Sequence, residues 1–350
     1  MITSLATAGG LEEARMGAKL KDVAALAGVS VRTVSNVVND ATHVAPATRQ
    51  RVLAAIEQTG YRPNLAARNL RQGRTGLIGL AIPEVGSPYF GELAGLLIEA
   101  AQERGWTVLI DQTAGRADRE RRLLSGVEGH AVDGLIVSPW ALSPADIGNY
   151  VSTMPVVVLG EIDPEGTADH VAIDNVTAAR EATCHLLTQG ARRPAALGLQ
   201  PHLHNRTAEL RLHGYRQALQ TAGLPPRSEL EQTVASLHRA EGHRAMEALL
   251  DLAQPPDAVF CFTDELALGA VRAARSRGLD VPQDLRIIGF DDIEDGRYGT
   301  PSLSTVAPDK QQIAESALQL LADRIYGRLT HRSSRQVVAR HQLLPRESTG

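Results

Sequence analysis

Between residues 76 and 290 short apolar runs recur, at 76–82, 107–111, 134–137, 156–159, 194–199, 258–262 and 285–290, and each closes in turn or polar residues. Amphipathic stretches at 90–104, 176–189, 211–223, 241–252, 265–277 and 310–326 alternate with them. Uninterrupted apolar strands followed by helices demand parallel sheets with both faces covered, because such strands have no polar face to give to water. Six or more of these units in the 275 residues from 76 to 350 fit two doubly wound α/β lobes better than one. Open parallel sheets bind ligands beyond the carboxyl ends of their strands. A cleft between two lobes, lined by strand ends, is therefore the expected ligand site. Aromatic residues make up only 3% of the chain, so its core should be aliphatic.

The first seventy residues follow a different pattern. From Lys19 to Arg74 nine basic residues face three acidic ones, a segment charge of +6 in a chain whose net charge is -4. The remainder is therefore strongly acidic. A basic end on an acidic body is the electrostatic layout of a nucleic-acid binder, although a solvated basic face would look the same. No run reaches the roughly 18 apolar residues of a membrane span. Residues 1–18 carry no apolar stretch behind a basic start, and their mixed composition reads as a disordered extension of a cytoplasmic protein. Cys184 and Cys261 sit in apolar surroundings and read as small core residues.

Residues 19–62 read as an all-helical unit. Val23 and Ala27 are one helical turn apart on one face, and Gly28 supplies a left-handed turn at no steric cost. Ser30 is placed to cap a second helix, its hydroxyl accepting from the amide near Thr33. That helix, 31–39, should bury Val34 and Val38 and present Val31, Arg32, Ser35 and Asn36. A third helix, 47–59, should bury Val52 and Ile56. Helix, glycine turn and polar-faced second helix make a helix-turn-helix whose second helix enters the major groove, or else a merely structural hairpin. In the first case Arg32 can bond guanine O6 and N7, Asn36 can pair with adenine or a phosphate, and Val31 can pack on a thymine methyl. Pro63 then breaks the chain's helix and Asn64 can cap a short one, too short to stand alone in water.

Lys21–Asn39 (KDVAALAGVSVRTVSNVVN), Thr48-Arg49, Gly60–Asn64 (GYRPN) and Ala67-Arg68-Asn69-Leu70 resemble the headpiece of the lactose/galactose repressor family. In the same order follow Asp133 with Gly134–Val137, Arg211 with Gly214-Tyr215, Asp264 with Ala267 and Gly269-Ala270, Val281-Pro282, Ile288–Asp292, Pro301–Val306 (PSLSTV) and Leu344–Thr349 (LPREST). The resemblance spans about residues 19–349. It implies a bacterial transcription regulator, acting as a homodimer on a pseudo-palindromic operator in double-stranded DNA. Val31, Arg32, Thr33, Ser35 and Asn36 would face the DNA from the recognition helix. Residues 63–75 would be a hinge in which Asn64 and Leu70 meet DNA, Leu70 as an apolar wedge in the minor groove or as a packing residue of the hinge helix. Val31, Arg32 and Asn36 differ from their counterparts in the lactose-responsive member, so the operator sequence does not transfer.

For the body, 76–350, the resemblance implies two lobes of the periplasmic-binding-protein type and an effector between them. The matching positions are Tyr89, Phe90, Ser138, Arg211, Thr263, Asp264 and Asp291. An arginine fork with carboxylates can clamp vicinal hydroxyls, and an aromatic ring can cover an apolar sugar face. Tyr89 and Phe90 also fit an ordinary core, and Asp264 also fits a helix cap. A carbohydrate is the expected effector. Thr263 stands where several sugar-responsive members carry asparagine, and Leu237 stands where the purine-responsive member stacks an aromatic ring. The chain shows no glycine-rich phosphate loop and no nucleophile elbow. His202, His204, His213, His238 and His243 come without a cysteine partner. No catalysis, cofactor or metal is expected, and the absence of leucine heptads at the end of the chain points to a dimer and not a tetramer.

Overall fold

The computed structural model describes residues 18–38, 44–61, 74–125, 132–150, 154–201, 203, 206–327 and 334–350. Asn64, Leu70 and most of the expected hinge lie outside the described residues, as do His202, His204 and residues 1–17. The chain divides into two compact units, Met1–Arg74 and Thr75–Gly350.

Among the described residues the first unit holds three helices, α1 (Leu20–Ala27), α2 (Val31–Val38) and α3 (Pro46–Thr59). The Asp22 carboxylate accepts the Lys19 amide at 2.7 Å and starts α1. Gly28, at φ 63°, ends it in the left-handed region. The Ser30 hydroxyl then accepts the Thr33 amide at 3.1 Å and starts α2. Pro46 opens α3 at a position where its missing N–H costs nothing. Val23, Val34 and Val52, one from each helix, are fully buried and form the centre of a small core. Val37 and Ala55 complete it, where the spacing favours Val38 and Ile56. Positions three and four residues along a helix flank the same face, and the nearer one wins here; Val38 and Ile56 pack at the edge.

The second unit contains two six-stranded sheets. The first lobe is built from β1 (Leu77–Ile82), α4 (Pro88–Glu103), β2 (Thr107–Gln112), α5 (Ala117–Leu124), β3 (Gly134–Val137), α6 (Pro144–Tyr150), β4 (Val156–Leu159) and β5 (Asp169–Ile173). The second follows with α7 (Asn175–Thr188), β6 (Pro194–Leu199), α8 (Arg206–Thr221), β7 (Glu231–Thr233), α9 (Arg239–Leu250), β8 (Ala258–Cys261), α10 (Asp264–Ser276), β9 (Arg286–Phe290), α11 (Glu294–Tyr298) and β10 (Ser304–Pro308). The chain returns through α12 (Lys310–Ile325) and β11 (Gln336–Ala339) to the first sheet, then ends in β12 (His341–Leu344) on the second.

The strand orders are β11-β5-β4-β3-β1-β2 and β12-β10-β9-β8-β6-β7. Each sheet thus runs outward in both directions from its first strand, with a topological switch point beside it. All pairings are parallel except β10 with β12. The period of two along each strand divides the first lobe's core. Ile78, Leu80 and Ile82 join Phe90, Leu97, Leu318 and Leu321 on one face, while Ala81, Val137, Val156 and Val158 join Leu124 and Ile147 on the other. The chain crosses between lobes three times, and aspartates cap two of the helices that follow. Asp174 accepts the Thr177 amide at 3.0 Å and Asp309 the Gln312 amide at 2.9 Å.

Cys261 is buried, but Cys184 is exposed on α7, contrary to its expected place in the core. Its helix buries Ala178, Ala179, Ala182 and Leu186, and Cys184 falls on the opposite face. No described helix is long and apolar enough to cross a membrane.

Candidate functional site

On α2 the two valines Val34 and Val37 point into the core, which turns the other face outward. Val31 is 47% exposed, a large apolar side chain left in water at the helix start. Arg32 beside it is exposed, and Thr33, Ser35 and Asn36 are half-buried. The Thr33 hydroxyl lies 2.9 Å from that of Ser30, so Thr33 belongs to the cap as well as to the exposed turn. Of the expected DNA-facing residues, these five share one short helix; Asn64 and Leu70 lie outside the described residues.

In the second unit the strand ends of both lobes enclose a cavity. Tyr89, Phe90, Ser138, Arg211, Thr263 and Asp291 all line it. Tyr89 and Phe90 stand in the first turn of α4, started by Pro88, with their rings edge to face at 5.2 Å. Ser138 follows β3 and Asp291 follows β9, as strand-end placement requires.

Arg211 is 6% exposed on α8, and its guanidinium is held from several sides. Nε donates to the Asn175 side chain at 2.8 Å, one terminal nitrogen donates to the Phe262 carbonyl, and another faces the Asp291 carboxylate at 3.9 Å. Its plane also lies 3.4 Å from the ring centre of Phe290. Burial pulls its pKa below the ordinary arginine value. Asp291 is held against it by an unusual backbone: Asp291 has φ 113° and Asp292 φ 51°. Each costs about 1–3 kcal/mol in a residue other than glycine. The surroundings fix the turn: Asp292 accepts Arg297 and Arg346, each at 2.6 Å, and its carbonyl accepts the Lys310 ammonium at 3.1 Å. Burial pushes the Asp291 pKa up to about 7, with Arg211 and Lys310 opposing and Glu161 and Glu92 reinforcing the rise. Burial, then Asp291 and Glu161, likewise raise the Tyr89 phenol, which keeps it a hydrogen-bond donor.

The structure separates Thr263 from Asp264. Thr263 caps α10, its hydroxyl accepting the Leu266 amide at 3.2 Å, and it also lines the cavity. Asp264 lies behind the wall, fully buried, accepting the Thr305 hydroxyl at 2.7 Å and the Ile293 amide at 3.0 Å. Burial, with the nearby Asp291 charge, raises its pKa well above the carboxylate range. Asp264 thus braces the loop that carries Asp291 and does not reach the cavity.

Glu161, Trp140 and His238 are among the lining residues that the sequence reading does not assign. Glu161, just past β4, accepts the Asn175 amide group at 2.5 Å and the Thr207 hydroxyl at 2.7 Å. Trp140, in the loop after β3, lies 6.2 Å from the Phe90 ring, and the buried Glu120 carboxylate accepts the Trp140 amide at 2.9 Å and the Ala141 amide at 3.1 Å. His238 at the cavity mouth sits 3.1 Å from Glu84 of the other lobe. The strand-end rule, applied to the run at 156–159, would have found Glu161. Among the described residues no group of three histidines, cysteines or carboxylates is placed to hold a metal ion.

Residues 19–64 match the family model of bacterial regulatory proteins, lacI family, and residues 183–349 match that of the periplasmic binding protein-like domain. The chain is 34% identical over 319 residues to the HTH-type transcriptional repressor CytR of Escherichia coli (strain K12), covering 91% of this chain and 93% of that one. Among solved structures, the complex of the transcriptional regulator CelR with cellobiose is 31% identical at a TM-score of 0.71, over 95% of this chain and 99% of that one. The lac repressor dimer bound to operator and the anti-inducer ONPF is 25% identical at a TM-score of 0.82, over 95% of this chain and 99% of that one.

Proposed function

The chain belongs to the lacI family of bacterial regulatory proteins, and we propose that it is a dimeric, sequence-specific repressor whose hold on operator DNA is set by a carbohydrate bound in the cavity of its second unit. Residues 19–62 read a half-site through α2, with Val31, Arg32, Thr33, Ser35 and Asn36 facing the major groove. Residues 63–75 are the hinge in this reading, with Asn64 meeting DNA and Leu70 the minor groove. A two-fold protein matches an inverted-repeat operator.

One observation carries the effector reading: Arg211, Asp291 and Glu161 converge in a cavity whose other walls include Phe90 and Trp140. Carboxylates accept sugar hydroxyls, and aromatic rings cover the apolar face of a pyranose. The solved complex of CelR with cellobiose supports the choice of a sugar. Tyr89, Ser138 and Thr263 add hydroxyls that fix orientation. The effector acts by differential affinity: it biases whichever lobe arrangement it binds better, by that difference and no more. Contacts that span the lobes, such as Glu84 with His238 and the Glu294 amide with Glu92 at 3.0 Å, are the ones such a bias would act through.

Titration calorimetry of the purified full-length protein against mono- and disaccharides, nucleosides and purines tests this. A sugar that binds and changes operator affinity is the expected result. Binding of purines with no response to any sugar overturns the carbohydrate assignment.

A further inference from the structure

The charges inside the cavity do not balance. Among its described lining residues the one buried cation is Arg211, and its guanidinium is already committed to Asn175, Phe262, Asp291 and the Phe290 ring. Two carboxylates, Asp291 and Glu161, line the same space. The other charged lining residues are paired at the rim: Glu84 with His238 at 3.1 Å, Glu265 with Arg239 at 2.5 Å, and Arg206 with Glu209 at 3.0 Å. Lys310, behind the Tyr89 ring, is held by Glu92 and by the Asp292 carbonyl. Asp264, behind the wall, adds no positive charge in either protonation state. Above about pH 7, where Asp291 is ionised, a ligand entering this space therefore meets a net negative interior, with Arg211 already facing a carboxylate.

A phosphoryl group brings roughly -1.5 to -2 charges at neutral pH. In a space from which water is largely excluded, like charges a few ångströms apart repel far more strongly than in bulk solvent. A hydroxyl or an ammonium group, by contrast, is a donor, and Glu161 and Asp291 are acceptors. We propose that this cavity takes uncharged or cationic ligands and excludes phosphorylated ones, with Glu161 and Asp291 as the discriminating residues. The proposal rests on the reading of the cavity as the effector site, and it narrows the effector to an unphosphorylated sugar or an amino sugar.

Inorganic phosphate is the probe, and Trp140 in the cavity wall is the reporter, read by fluorescence in full-length protein carrying Trp106→Phe. Three forms are compared: that background alone, with Glu161→Gln, and with Asp291→Asn. Glutamine at 161 still accepts from Asn175 or Thr207, so this variant keeps the local structure if Asp291→Asn does not. In the background protein no saturable phosphate response is expected, or only a weak one. At least one variant should bind phosphate about tenfold tighter. Saturable binding in the background protein that neither variant tightens overturns the proposal. So does the absence of a response in all three forms, because the carboxylates would then not be what keeps anions out. Failure of the effector reading has a separate signature: cavity ligands would leave operator affinity unchanged, while the phosphate titration would still report charge selectivity.

Discussion

In the proposed reading of the operator, Arg32 carries the most specific contact. It is exposed at the start of α2, where a guanidinium can reach guanine O6 and N7 together. Arg32→Ala should cost about 1–3 kcal/mol on the preferred operator and relax the preference at one base pair. Binding measured across a set of single-base operator variants checks this; equal weakening on every sequence would make Arg32 a phosphate contact. Asp291 gives a pH signature. Its folded pKa of about 7 lies above the ordinary 3.8, so between these values the folded chain holds a proton that the unfolded chain has lost. Its contribution to stability is full below about pH 4 and declines as pH rises towards 7. Thermal unfolding of Asp291→Asn should therefore fall less between about pH 5 and about pH 8 than that of the unaltered protein; an identical pH slope contradicts the assignment. The ionised form accepts sugar hydroxyls, so effector affinity should rise over the same range. Arg211 and Asp291 were named through the family resemblance, and both line the cavity. Thr263 and Asp264 were not separable, because either neighbour in a strand-to-helix turn can cap, and only the fold shows which side chain turns inward.

At the scale of elements, the apolar runs at 76–82, 134–137, 156–159 and 258–262 announced their strands because both faces of each are buried. β5 did not, because it opens with Asp169 and His170. The fold buries that aspartate completely by giving it Arg324 at 2.8 Å and Arg335 at 3.5 Å, a pairing formed across distant sequence. β11 and β12 lie at the sheet edges with mixed polar residues, and α5 (ADRERRLL) is short and largely charged, burying only Glu120 and Leu124. The packing of α9 on α10 was hidden for another reason: it depends on backbone approach. A Cβ at Gly269 would stand 2.1 Å from the Arg239 carbonyl oxygen, and one at Gly242 would stand 2.2 Å from that of Leu266. Gly269→Ala must push the helices apart and should lower stability by about 1–3 kcal/mol or more, read from the denaturant midpoint. An unchanged midpoint would mean that the pair adjusts freely.

On the scale of the whole molecule, a basic helical unit and an acidic two-lobed unit with a cavity are joined in one chain of 350 residues. Neither half alone makes a switch. A second copy is needed for an inverted-repeat operator, so sedimentation should give at least a dimer. The central claim is that this chain recognises a specific operator. The most direct test is selection of bound fragments from the source genome by the purified full-length protein, at physiological salt, with and without cell extract. A short inverted repeat, enriched in at least one of the two conditions, is the expected result. Recovery of no common sequence in either condition would contradict it.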